Sequence, residues 1–220
     1  MKRSFFSAAL AAILLSGLLS GCGTIASAAI SPGEVDEFHT GTIDGDTYEN
    51  TFFGIGCKLD DDWTILDEEE LAERSGLVFD TLEEGGMDDS ARTAMENGSV
   101  VFDFFAQKLD NSAAVNVTVG NIGVLYGTSL TEEAYIDLAY DEVIQSVEAI
   151  GYDNVTAEKT TVTFAGTDHA AMNVYGEYSG VPVYQVQIAL RKGLYVGTVT
   201  LSSGGEDITD DLAALFYALD

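Results

Sequence analysis

Val183-Tyr184-Gln185-Val186-Gln187-Ile188-Ala189-Leu190-Arg191-Lys192-Gly193-Leu194-Tyr195-Val196-Gly197-Thr198-Val199-Thr200-Leu201 is the stretch on which the fold turns. Tyr184, Val186, Ile188 and Leu190 alternate onto one face. A turn at Arg191-Lys192-Gly193 follows, and Tyr195, Val199 and Leu201 return on that same face, which predicts a hairpin of Val183–Leu190 with Leu194–Leu201. Working outward, strands are expected at Val155–Phe164 and Ala170–Tyr178 before it, and at Ser99–Lys108 and Ala113–Asn121 further upstream. In the last of these Val115, Val117 and Val119 point one way and Asn116 and Thr118 the other, the pattern of a half-buried strand. Two more strands are read at Thr47–Thr51 and Phe53–Leu59. Consecutive hairpins need no crossover, so the sheet is expected to be largely antiparallel, with six or more strands.

Helical spacing covers the rest. Ile136, Tyr140, Val143, Val147 and Ile150 recur along Glu132–Ile150, with Thr131 or Ser129 as cap and Gly151 closing the end. Asp67 is placed to cap a short helix at Glu68–Arg74, and Asp80–Asn97 reads as helical in part. A last helix is expected at Ile208–Leu219, where Ile208, Leu212, Leu215, Phe216 and Leu219 form one stripe. Strands with helices covering the sheet make the expected class α+β.

Composition narrows the function. The 220 residues hold 9 basic and 37 acidic side chains, so the formal charge is 9 − 37 = −28. Such a chain cannot neutralise a row of phosphates, which argues against a nucleic-acid partner. Two cysteines and two prolines exclude a disulfide scaffold and a proline-rich stalk, and 46% hydrophobic residues exclude a disordered chain.

The N-terminus is the most specific segment. Lys2 and Arg3 precede an apolar run from Phe5 to Leu19, too short at fifteen residues to anchor across a core of ~30 Å, so it reads as a signal peptide. It ends in Leu19-Ser20-Gly21-Cys22, which resembles the lipobox of bacterial lipoproteins. The resemblance implies cleavage between Gly21 and Cys22 and acylation of Cys22, palmitate included. The mature chain would then sit lipid-anchored at the cell membrane, on its extracytoplasmic face, at 7 − 37 = −30. Dual acylation makes such an anchor stable. The organisation expected is a signal peptide over 1–21, a lipidated tether over 22–45 and one domain over 46–220. A tether of that length has an r.m.s. reach on the order of 25 Å.

Tyr48-Glu49-Asn50-Thr51-Phe52-Phe53-Gly54-Ile55-Gly56-Cys57-Lys58-Leu59, with Trp63 beyond, resembles the opening hairpin of PsbP-like and Mog-like proteins. The order of elements over 47–220 is similar too. Where the family usually has proline and glycine before the tryptophan, this chain has Asp60-Asp61-Asp62. The resemblance implies an αβα sandwich around an antiparallel sheet, and an accessory or binding role rather than catalysis. It carries over no functional residue.

Two side chains stand out as candidate pocket residues. Asp103 interrupts Val100-Val101-Phe102-Asp103-Phe104-Phe105, and a carboxylate among apolar neighbours marks a pocket or a sheet edge facing solvent. His169 follows Asp168 at an expected turn, Gly166-Thr167-Asp168-His169, where it is a general base, a ligand or a strand-start histidine. Asp44-Gly45-Asp46 with Glu49, Asp60–Asp62 and Asp88-Asp89 offer oxygens to Ca²⁺ without EF-hand spacing. Cys57 reads as a buried thiol, and Ser179 lacks the spacing and context of a nucleophile elbow. The function expected is a non-catalytic, lipid-anchored binding or accessory protein with a protein partner in the envelope, no metal and no cofactor. The alternatives are a Ca²⁺-responsive surface adhesin and an envelope hydrolase using Asp103 with His169 as base.

Overall fold

The computed structural model describes residues 38–67, 100–122 and 130–219, with isolated positions between 69 and 93. In chain order these form β1 (Thr42–Asp44), β2 (Thr47–Asn50), β3 (Ile55–Lys58), β4 (Trp63–Ile65), β5 (Val100–Lys108), β6 (Ala113–Asn121), α1 (Glu132–Ala149), β7 (Tyr152–Phe164), β8 (Thr167–Tyr178), β9 (Val181–Lys192), β10 (Tyr195–Gly204), α2 (Thr209–Ala213) and β11 (Phe216–Ala218). The strands make two antiparallel sheets, β1-β2-β3-β11 and β4-β5-β6-β10-β9-β8-β7.

The large sheet is wound by hairpins as its alternations require. After β6 the chain crosses through α1 to the far edge, lays down β7, and walks back until β10 pairs with β6. Two-residue turns at Ala165-Gly166 and Ser179-Gly180 have both residues at positive φ, the geometry that matches strand twist. The β9–β10 turn sits at Gly193-Leu194, slightly beyond the expected position. α1 is capped by Thr131, whose hydroxyl accepts from the Ala134 amide at 3.2 Å, and is closed by Gly151 at φ +95. Asp67 and Glu70 exchange side-chain-to-amide bonds at 2.9 and 3.1 Å, a capping box where the cap was expected. Of the helices read over 68–74 and 80–97, Glu69, Glu70, Leu71, Glu73, Asp80, Glu84 and Thr93 are helical, and the other positions lie outside the described residues.

The αβα sandwich is overturned. Only one face of the large sheet carries a long helix in this description: Tyr135, Ile136, Ala139, Val143 and Val147 of α1 pack against Met172, Val174, Val183 and Val196. The other face is covered by the small sheet, and Tyr48, Cys57 and Phe216 meet Phe104, Val117, Ile188, Val199 and Leu201 there. The architecture is mostly β, with sheet packed on sheet.

The C-terminal helix is the second correction. It lasts five residues, Thr209–Ala213, before the chain extends into β11. The outer edge of β3 decides this. Its unpaired backbone needs partners: Lys58 donates to the Leu215 carbonyl at 3.0 Å, and Leu219 donates to the Gly54 carbonyl at 2.9 Å. β1 lies inside the 22–45 stretch read as tether, where Gly45 at φ +63 turns it back onto β2. β6 is not half-buried. It lies near the middle of the sheet, and both its faces are covered from Ala113 to Gly120.

Candidate functional site

Asp103 sits at an irregularity of β5, between Phe102 and Phe104, where the register with β6 shifts. The bulge turns its carboxylate toward the small sheet. There it accepts from the Gly41 amide at 2.7 Å, from Asn50 Nδ2 at 2.6 Å and, through a short bond, from Tyr48 Oη. Burial and the neighbouring Asp103 charge push the Tyr48 phenol far above its ordinary range, so it stays a donor. The Tyr48 ring stacks on Phe104 at 4.3 Å. Asp103 is therefore a knot between the sheets, with both carboxylate oxygens engaged.

His169 is held elsewhere. Its Nδ1 lies 3.0 and 3.1 Å from the two carboxylate oxygens of Glu132, the first residue of α1. Glu132 also accepts from the Ala170 amide at 3.3 Å and the Arg191 amide at 3.1 Å. β8 and β9 pair only from Ala171↔Ile188 onward, so beyond that point the amides that face the gap between them have no ladder partner there. The Glu132 carboxylate enters the opening and satisfies them. Three strands separate β5 from β8, which places Asp103 and His169 ~19 Å apart across the sheet. They do not share a site.

The remaining candidates are also accounted for. Gly21, Cys22 and Asp88-Asp89 lie outside the described residues. Cys57 is fully buried, and burial pushes its thiol up to about 12. Asp46 binds Lys58 Nζ at 2.5 Å, and this ion pair holds its carboxyl below the usual range. Asp60 accepts from the Asp62 amide at 3.0 Å. Among the described residues no three His, Cys, Asp or Glu side chains are placed to hold a metal ion.

The concave feature lies along the outer strands of the large sheet. α2 and the segment before it pack on β10 and β9 and, facing β7 and β8, leave an open groove of about 840 Å³. Its floor is formed by Val162, Val186 and Leu201 with Tyr175 and Tyr184, whose rings are 5.4 Å apart. Thr156, Glu158 and Thr160 of β7 line one side and Asp207, Asp210 and Asp211 the other. Asp207 is partly occupied in capping α2, accepting from the Thr209 amide at 3.1 Å and hydroxyl at 2.7 Å. Tyr175 donates to Glu177 at 3.1 Å, and that bond raises its pKa. Among the described residues four carboxylates and no cation line the groove, so it favours neutral or basic groups. The alternation of β7 was legible as a strand. Nothing in the spacing showed that its even-numbered side chains would face Asp207–Asp211, about fifty residues away.

A second feature escaped the sequence reading. On the face opposite the small sheet, β6, β10 and β9 align Asn116, Thr200 and Gln187 across three strands, with Ser202 and Gln185 beside them. All five are buried, and among the described residues Asn116 Nδ2 and Oδ1, Thr200 Oγ1, Ser202 Oγ and Gln185 Nε2 have no hydrogen-bond partner.

No family model matches the sequence, PsbP-like models included, and no curated protein matches it. Among solved structures, a protein from Bacteroides thetaiotaomicron is similar with a TM-score of 0.44 at 9% identity, over 81% of this chain and 50% of that one. LpqN of Mycobacterium tuberculosis, described as involved in cell envelope biogenesis, is similar with a TM-score of 0.33 at 14% identity, over 76% of this chain and 83% of that one. The chain spans half the length of the Bacteroides protein. At these scores and identities the likenesses assign neither a family nor an activity.

Proposed function

We propose that this chain is a lipid-anchored, extracytoplasmic binding or accessory protein of the bacterial envelope, and that it is not an enzyme. The anchor rests on Leu19-Ser20-Gly21-Cys22 and the apolar run before it. The binding role rests on one observation: an open, tyrosine-floored groove whose described lining holds carboxylates but no nucleophile–base pair. Asp103 and His169, the side chains a hydrolase would use, are spent on structural hydrogen bonds at separate places. A mature chain at −30 is repelled by an anionic bilayer, which favours a partner held away from the lipid surface.

Two measurements on cells test this. Labelled palmitate should enter the wild-type chain and not a Cys22→Ala variant. Crosslinking in cells, followed by purification from membranes, should recover one stoichiometric partner that disappears with Cys22→Ala. Incorporation that persists in the variant would remove the anchor, and a clean lane would remove the accessory role.

A further inference from the structure

β7 is the outermost strand of the large sheet, thirteen residues long. Phe164 and Thr167 close the Ala165-Gly166 turn as a bonded pair, so Val162, Thr160 and Glu158 bond inward to β8 by the antiparallel alternation. The amides and carbonyls of Thr163, Thr161 and Lys159 therefore point away from the sheet, as does the Ala157 amide. Among the described residues only the Ala157 carbonyl has a partner on that side, Tyr140 Oη at 2.8 Å. Protein edges are commonly blunted by proline, by shortness, by bulges or by an outstretched lysine. From Thr156 to Phe164 this one has no proline and no register shift. Its one lysine is folded down: Lys159 Nζ bonds Asp137 at 2.6 Å and lies 4.7 Å from the Tyr140 ring centre.

We infer that this edge takes an extended, basic segment of a partner protein as an eighth strand, with alternate side chains entering the acidic groove. The geometry supplies both halves of strand-addition recognition. Main-chain groups of residues 157–163 bind any extended backbone, and the even-numbered side chains of β7 sit on the groove side. A residue of the added strand opposite Glu158 or Thr160 reaches Asp210, Asp211 and the Tyr175–Tyr184 pair. Four carboxylates there select lysine or arginine, whose stems also cover the rings. This inference rests on the binding role proposed above and names its partner's chemistry.

The test uses the full chain in detergent with a short fluorescent peptide alternating lysine with valine, and its glutamate counterpart. The lysine peptide should bind, weaken as NaCl is raised, and compete with the cellular partner, while the glutamate peptide should not bind. Thr161→Pro removes an outward amide that the β7–β8 ladder does not use, and should weaken binding about tenfold or more. As proline also restrains the strand, the triple variant Glu158→Gln, Asp210→Asn, Asp211→Asn provides a second arm and should lose most salt-dependent affinity. No binding of the lysine peptide, or binding indifferent to both variants, overturns the inference. A membrane partner whose capture is unchanged by Thr161→Pro would leave the accessory role standing and remove only the edge-strand site.

Discussion

Asp103 accepts three hydrogen bonds from residues at least 53 positions away in sequence, so it ties the small sheet to the large one. Asp103→Ala leaves the Gly41 amide, Tyr48 hydroxyl and Asn50 amide without their acceptor. The expected cost is about 3 kcal/mol, read as a lower urea midpoint, whereas Asp168→Ala at an exposed position near the start of β8 should change little. Equal effects of the two would contradict the knot. Thr200 presents the opposite situation: its hydroxyl is buried and has no partner among the described residues. Thr200→Val keeps the shape and removes the unmet polar atom, so stability should rise by about 1 kcal/mol. A fall in the midpoint would show that the hydroxyl is bonded to a guest or to water.

Among the elements, α1 and the long hairpins follow from local rules, and β11 does not. Thr131 and Gly151 delimit α1 wherever it packs, because cap geometry depends on neighbours in sequence. The stripe from Ile208 to Leu219 suits a helix equally well on paper. An extended Phe216–Ala218 instead pairs with Ile55–Cys57, and buried Phe216 sits 5.0 Å from the Phe164 ring. Phe216→Ala should therefore cost about 3 kcal/mol by denaturant titration. Truncation after Leu215 should expose the β3 edge and produce aggregates by size-exclusion chromatography. A truncated chain that stays monomeric with an unchanged midpoint would mean that β11 is dispensable.

For the whole molecule, charge and burial set the response to solution conditions. Burial raises the Cys57 thiol from 9.0 to about 12 and the Tyr135 phenol from 10.0 to about 12. Both are neutral acids in the folded state and ionise more readily once unfolded. Their contribution to stability is thus complete below pH 9 and is lost as pH rises from 9 to 12. A Cys22→Ala chain should resist thiol alkylation at pH 8 until urea unfolds it, and its melting temperature should fall across that alkaline window. Self-repulsion in so acidic a chain predicts that the melting temperature rises between 10 and 300 mM NaCl, by screening. Insensitivity to salt would show that the acids are too dispersed to matter.

Short-range facts were legible before any tertiary information. The bounds of β6, the caps Thr131 and Asp67, and the shared face of Val186, Ile188, Val199 and Leu201 came directly from alternation, capping chemistry and period. What covers each face of the sheet was not legible. Whether Asn116 meets water or a packed layer, and whether Leu215–Leu219 winds or extends, depends on an edge or a face supplied by residues far away in sequence. The groove is likewise a product of five elements meeting. Alternation specifies which side chains share a face, and only tertiary packing decides what that face meets.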